Sequence, residues 1–120
     1  MDPALLAPAT AGAATGLHRD LAAAVDRLVA ASGGRVWVVS GFRSPDRQAQ
    51  LWAEAVAEHG SPEAADDWVA RPGTSMHEKG LAVDLGGDLD EAARIADELD
   101  LPLYRPMAHE PWHFELSAAR

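Results

Sequence analysis

The chain has 120 residues, enough for one compact domain with a single modest core and too few for two. Hydrophobic residues make up 48% and charged residues 24%, the balance of a folding globular chain, and a net charge of −9 without a Lys or Arg cluster argues against nucleic acid as a partner. With no cysteine, disulfides, thiolate ligands and thiol catalysis are excluded, and His, Asp and Glu are the side chains left to hold a metal.

Residues 1–16, MDPALLAPATAGAATG, read as a flexible lead within a single domain spanning 1–120. The lead has no Lys or Arg before its apolar part, so the charged region of a secretory signal is missing. No stretch of the chain reaches the roughly 20 continuous apolar residues of a membrane helix. Leu17, Leu21, Ala24, Val25, Leu28 and Val29 then recur at helical spacing, and Gly33 and Gly34 stop that helix. The run RVWVVSGFRS predicts a strand ending at Gly41, which delivers Ser40 to Arg43 to its end. Ser44 as N-cap and Pro45 as first helical residue open a second helix that closes at Gly60.

Residues 61–76 carry two prolines and a glycine and read as a loop with a short helical turn at Pro62 to Trp68. A strand follows at Leu81 to Leu85, a helix at Asp88 to Leu99 and a last strand near Trp112 to Leu116. Between those last two, Pro102, Pro106 and Pro111 allow only an interrupted edge strand or hairpin.

Asp84 stands inside the apolar run LAVDL. Strand alternation sends Leu81, Val83 and Leu85 to one face and Ala82 and Asp84 to the other, so Asp84 is free to line a cleft. His77 lies seven residues earlier, too far along a straight element to share an ion with Asp84, and Gly80 is the residue able to make the required bend. In HEPWHFEL, His113 is a third candidate ligand, and Pro111 puts Glu110 in the loop leading into its strand. Two imidazoles and one carboxylate make an open, catalytic type of zinc site, beside which a non-ligand Glu can accept a proton from water. Glu115, on the strand face of His113, competes with Glu110 for that task or serves as a partner of His113. Arg43 either pairs with the acidic surface or acts at the site. Trp37 reads as core and Trp112 as packing beside the site, while Trp52 and Trp68 fit either core or a groove rim. His18, His59 and His109 have no partner pattern and read as ordinary histidines.

The blocks SGFRS at 40–44, SMHEKGLAVD at 75–84 and EPWHFE at 110–115 together resemble the zinc D-alanyl-D-alanine carboxypeptidases and dipeptidases, including the vancomycin-resistance type. That family shares its fold with Hedgehog signalling domains. The resemblance implies an α+β domain, a small antiparallel sheet with helices packed on one face and a zinc cleft on the other. It implies zinc bound by His77, Asp84 and His113, with Glu110 as general base. Arg43 would anchor the substrate or polarise the scissile carbonyl, and Ser75 and Gln48 would contact the substrate. The expected partner is a peptidoglycan peptide, the expected state a monomer, and the family's usual location lies outside the cytoplasmic membrane. The stretch LYRPMAH departs from the tyrosine-rich approach of many members. The resemblance therefore leaves three readings of the site: a D,D-peptidase, a lysin-like endopeptidase or L,D-carboxypeptidase, and a non-catalytic zinc-bearing binding module.

Overall fold

The computed structural model describes residues 16–117, so the lead expected over 1–16 lies outside the described residues except for Gly16. Helix α1 (Arg19–Ala31) begins at His18, whose Nδ1 accepts the Asp20 N–H at 3.1 Å, and it buries Leu21, Ala24, Val25 and Leu28 along one stripe. Ser32 ends it. The buried Ser32 hydroxyl donates to Val29 O at 2.7 Å and accepts the Val36 N–H at 3.1 Å, tying the end of α1 to the start of strand β1 (Val36–Ser40).

Helix α2 (Pro45–His59) is capped by Ser44, whose Oγ accepts the Arg47 N–H, and it closes at Gly60 in the left-handed conformation. A single turn, α3 (Pro62–Ala65), follows. Strand β2 (Ala82–Gly87) leads into α4 (Leu89–Glu98), where Asp88 caps the first turn through the Glu91 N–H. The short β3 (Leu103–Tyr104) and β4 (His113–Leu116) complete an antiparallel sheet in the order β1-β2-β4-β3.

The core lies on one face of that sheet. Leu21, Val25 and Leu28 of α1 and Ile95 of α4 pack against Val36, Val83, Leu85 and Phe114. The expected fold class is therefore present, with one refinement. Only α1 and α4 cover the core face; α2 contributes nothing to this cluster and packs mainly on α3. Two smaller expectations also shift. Trp37 is only partly buried, because it stands opposite Gly86 at the sheet edge, outside the core cluster. Leu81 is half-buried and precedes the strand, which starts at Ala82 and runs on to Gly87. Among the described residues, no helix is long and apolar enough to cross a membrane.

Candidate functional site

The sheet's register assembles the site. Asp84 pairs across to His113 on β4 and to Ser40 on β1, while Glu115, two residues beyond His113, pairs with both Ala82 and Tyr104. Paired residues and residues two apart share a face, so Asp84, His113, Glu115 and Tyr104 all stand on the side away from the core. A bulge between Val38 and Ser40 inserts one extra residue into β1 next to Asp84, a device that bends a strand and re-aims the chain beyond it. The chain past this bulge brings the Gly41 carbonyl to His77, whose Nδ1–H donates to it at 2.8 Å.

His77 reaches the sheet from the turn over residues 75–80. Ser75 Oγ accepts the His77 N–H at 3.2 Å, and the His77 carbonyl accepts N–H groups from Gly80 at 3.2 Å and Arg43 at 3.1 Å. Gly80 makes the bend at φ +71°, and its carbonyl accepts the His18 N–H at 2.8 Å. A side chain there would be strained and would also clash, since an added Cβ would stand 2.4 Å from Gly16 O.

Three buried side chains converge. His77 Nε2 and His113 Nδ1 lie 3.2 and 3.3 Å from the same oxygen, Asp84 Oδ1, with the two rings edge-on at 5.1 Å. One donor atom from each lies within 4.8 Å of the others, the grouping a cation requires. The chemistry of the donors fits as well. Because the Gly41 carbonyl can only accept, His77 carries its proton on Nδ1 and turns a lone pair on Nε2 toward Asp84. Burial works against the Asp84 charge, but the adjoining His113 and His77 rings, which donate to it when they are charged, and the charge of Arg43, whose Nη2 donates to Oδ2 at 2.9 Å, hold it well below the usual carboxylate range. Burial likewise opposes charging His113, and the neighbouring Asp84 and Glu115 carboxylates outweigh it and raise its pKa.

These donors line a cavity of about 560 Å³ together with Arg43, Ser75 and Glu110. Glu110 lies in the loop before β4, its carboxylate 3.4 Å from His109 Nε2. Its pKa is raised, chiefly by burial, with the charge of His113 opposing and that of Asp84 adding. Ser75 is buried in the wall. Gln48 sits behind the wall instead of in it: only 1% exposed, it donates through Nε2 to Ala70 O at 2.8 Å and accepts from Arg43 Nη1 at 3.4 Å.

Among the remaining aromatics, Trp112 lines the cavity, and Trp68 is 62% exposed on its rim, stacked on His59 at 5.4 Å. Trp52 carries Arg71 over its ring. His18 is the α1 cap and His59 the Trp68 support, whereas His109 faces the cavity beside Glu110. Sequence reasoning passed over Met107, which also lines the cavity, and Tyr104, whose hydroxyl donates to Glu115 Oε1 at 3.2 Å. The signal for Tyr104 was its place on a short edge strand, which shows only once β3 is paired with β4.

An antiparallel sheet with a core of two helices on one face and a His-Asp-His cluster in a cavity on the other is the Hedgehog/DD-peptidase-like fold. A family model described as VanY, D-alanyl-D-alanine carboxypeptidase, matches residues 14–102. The chain belongs to that family. A D-alanyl-D-alanine carboxypeptidase of Enterococcus faecalis is 35% identical over 102 aligned positions, covering 64% of this chain and 38% of the relative. Among solved structures, a vancomycin-resistance D,D-pentapeptidase VanY variant in complex with Zn(II) is 32% identical at a TM-score of 0.62, covering 82% of this chain and 70% of that one. The vancomycin-resistance D,D-dipeptidase VanXYg, bound to a D-Ala-D-Ala phosphinate analogue, is 26% identical at a TM-score of 0.72, covering 83% and 50%. The chain spans less than half the length of the curated relatives it matches.

Proposed function

We propose that this chain is a zinc peptidase hydrolysing D-alanyl-ended peptides of the peptidoglycan type. The observation that carries the reading is the convergence of His77 Nε2, Asp84 Oδ1 and His113 Nδ1 in the wall of a cavity also lined by Glu110 and Arg43. Zinc on those three donors would supply Lewis acidity at the scissile carbonyl and lower the pKa of an attacking water to about 7.

The chain's own groups do the rest. Glu110 accepts the proton of the attacking water and returns it to the amine nitrogen, so that a C–O bond forms as the C–N bond breaks. Its half-buried setting, which raises its pKa, brings the carboxylate nearer the neutral range in which a base and an acid are both useful. Glu115 is the poorer base, since His113 and Tyr104 already occupy its two oxygens. Arg43 lines the same cavity, and its guanidinium would hold the carbonyl oxygen as negative charge develops. Ser75 accepts the His77 N–H, which leaves its own O–H to donate to a polar group of the substrate. Gln48, assigned to substrate contact by resemblance, acts through the Arg43 guanidinium it holds.

The test is Glu110→Gln with metal content measured beside activity on D-Ala-D-Ala, an acylated D-Ala-D-Ala tripeptide and whole sacculi. The expected result is retained zinc with turnover lowered about 10²- to 10⁴-fold. Full hydrolysis by the variant would overturn the mechanism, and a metal-loaded wild-type protein that cleaves none of the three would favour a binding module. Product masses assign the bond, because free D-alanine and cross-link cleavage differ.

A further inference from the structure

We propose that Glu115, itself held by Tyr104, is the positioning residue that fixes His113 as a metal ligand. The inference rests on the metal-site reading above and adds a device to it.

Glu115 and His113 lie two apart on β4 and so share the cavity face. Their side chains meet at 2.8 Å between Oε2 and Nε2, and the other carboxylate oxygen accepts the Tyr104 hydroxyl at 3.2 Å across the β3–β4 pair. The Glu115 side chain is 13% exposed, so these contacts sit largely out of water. A neutral imidazole has one N–H, and two carboxylates compete for it: Glu115 at Nε2, and Asp84 Oδ1 at Nδ1, 3.3 Å away. The shorter contact draws the proton to Nε2, which leaves the Nδ1 lone pair pointing at the atoms shared with His77 and Asp84. Had the proton gone to Nδ1, it would point at Asp84 and the ligand set would be incomplete.

Tyr104 closes the arrangement. It stands directly opposite Glu115 in the register, and its hydroxyl holds the carboxylate oxygen that His113 does not use, so the carboxylate cannot rotate away without losing a bond. Glu115 does not touch the substrate in this assignment. It orients the ring and makes Nδ1 more basic.

Three variants test this: Glu115→Ala, Glu115→Gln and Tyr104→Phe, each read by chelator competition for zinc and by the ¹⁵N shifts of the His113 ring. Glu115→Ala should lose about 10- to 100-fold in zinc affinity and shift the His113 signals away from the Nε2–H form. Glu115→Gln, whose amide oxygen still accepts from Nε2–H, should recover most of both. Tyr104→Phe should move both readouts the same way by less, and its exposed edge position keeps it informative if Glu115→Ala fails to fold. Wild-type affinity and unchanged ring signals in Glu115→Ala, or in Tyr104→Phe where Glu115→Ala does not fold, would overturn the proposal. Lost turnover in Glu115→Gln with zinc affinity intact would instead make Glu115 a base, and overturns it too. A wild-type chain that takes up no zinc overturns the metal reading, while the ring signals of the metal-free variants still decide the Glu115–His113 pairing.

Discussion

Asp84 divides its two oxygens between two tasks. Oδ1 faces both histidines and Oδ2 is held by Arg43, so a cation among the three donors would meet Oδ1 alone. Asp84→Ala should therefore abolish zinc uptake, measured by metal analysis after dialysis, while the far-ultraviolet circular dichroism stays that of the wild type. Glu110 offers a different handle. A base works only when ionised, and its burial raises its pKa, so the acid limb of kcat/KM belongs above the ~4.3 of an ordinary Glu and activity falls as pH drops through it. A pH profile places that limb. An acid limb at the ordinary Glu value would argue against Glu110 as the base in this environment.

At the scale of elements, the sequence disclosed what is local. The Ser44 cap, the Pro45 start and the Gly60 stop are decided within a few residues, and α2 falls where those signals put it. Gly80 also behaved as read, with φ +71° in the turn that returns His77 to the sheet. Non-local arrangements were not legible. Nothing in the run RVWVVS announces the bulge beside Asp84, nor that Gln48 turns behind the cavity wall to Ala70, nor that α2 stays off the core. Each depends on which distant segment packs against it. Gly80 also lies close against the Gly16 backbone. Gly80→Ala combines a left-handed backbone with a backbone clash, so it should cost more than the ~1–2 kcal/mol of the conformation alone. Denaturant melts would show that loss, and zinc affinity should fall with it because the turn carries His77.

Across the whole molecule, stability and chemistry occupy opposite faces of one sheet. Leu28, Leu85 and Phe114 are fully buried on the helix side, and the donors sit on the other. A core truncation such as Leu28→Ala should cost about 2–5 kcal/mol in unfolding experiments yet leave zinc affinity per folded molecule near that of the wild type. Metal should report back on folding. An ion bound only by the native state adds about 2.7 kcal/mol at a hundred times its Kd, so stripping it with a chelator should lower the melting temperature, and the Asp84→Ala protein should not respond.

Asp84 and His113 meet across the β2–β4 seam. The two residues belong to neighbouring strands and face each other only in the register found. A slip of β4 by one residue would bring Phe114 to the cavity face and send His113 toward the hydrocarbon side. Any ion gripping both strands thereby acts as a clasp on their alignment, and metal uptake becomes a readout of whether the two edges were zipped correctly during folding.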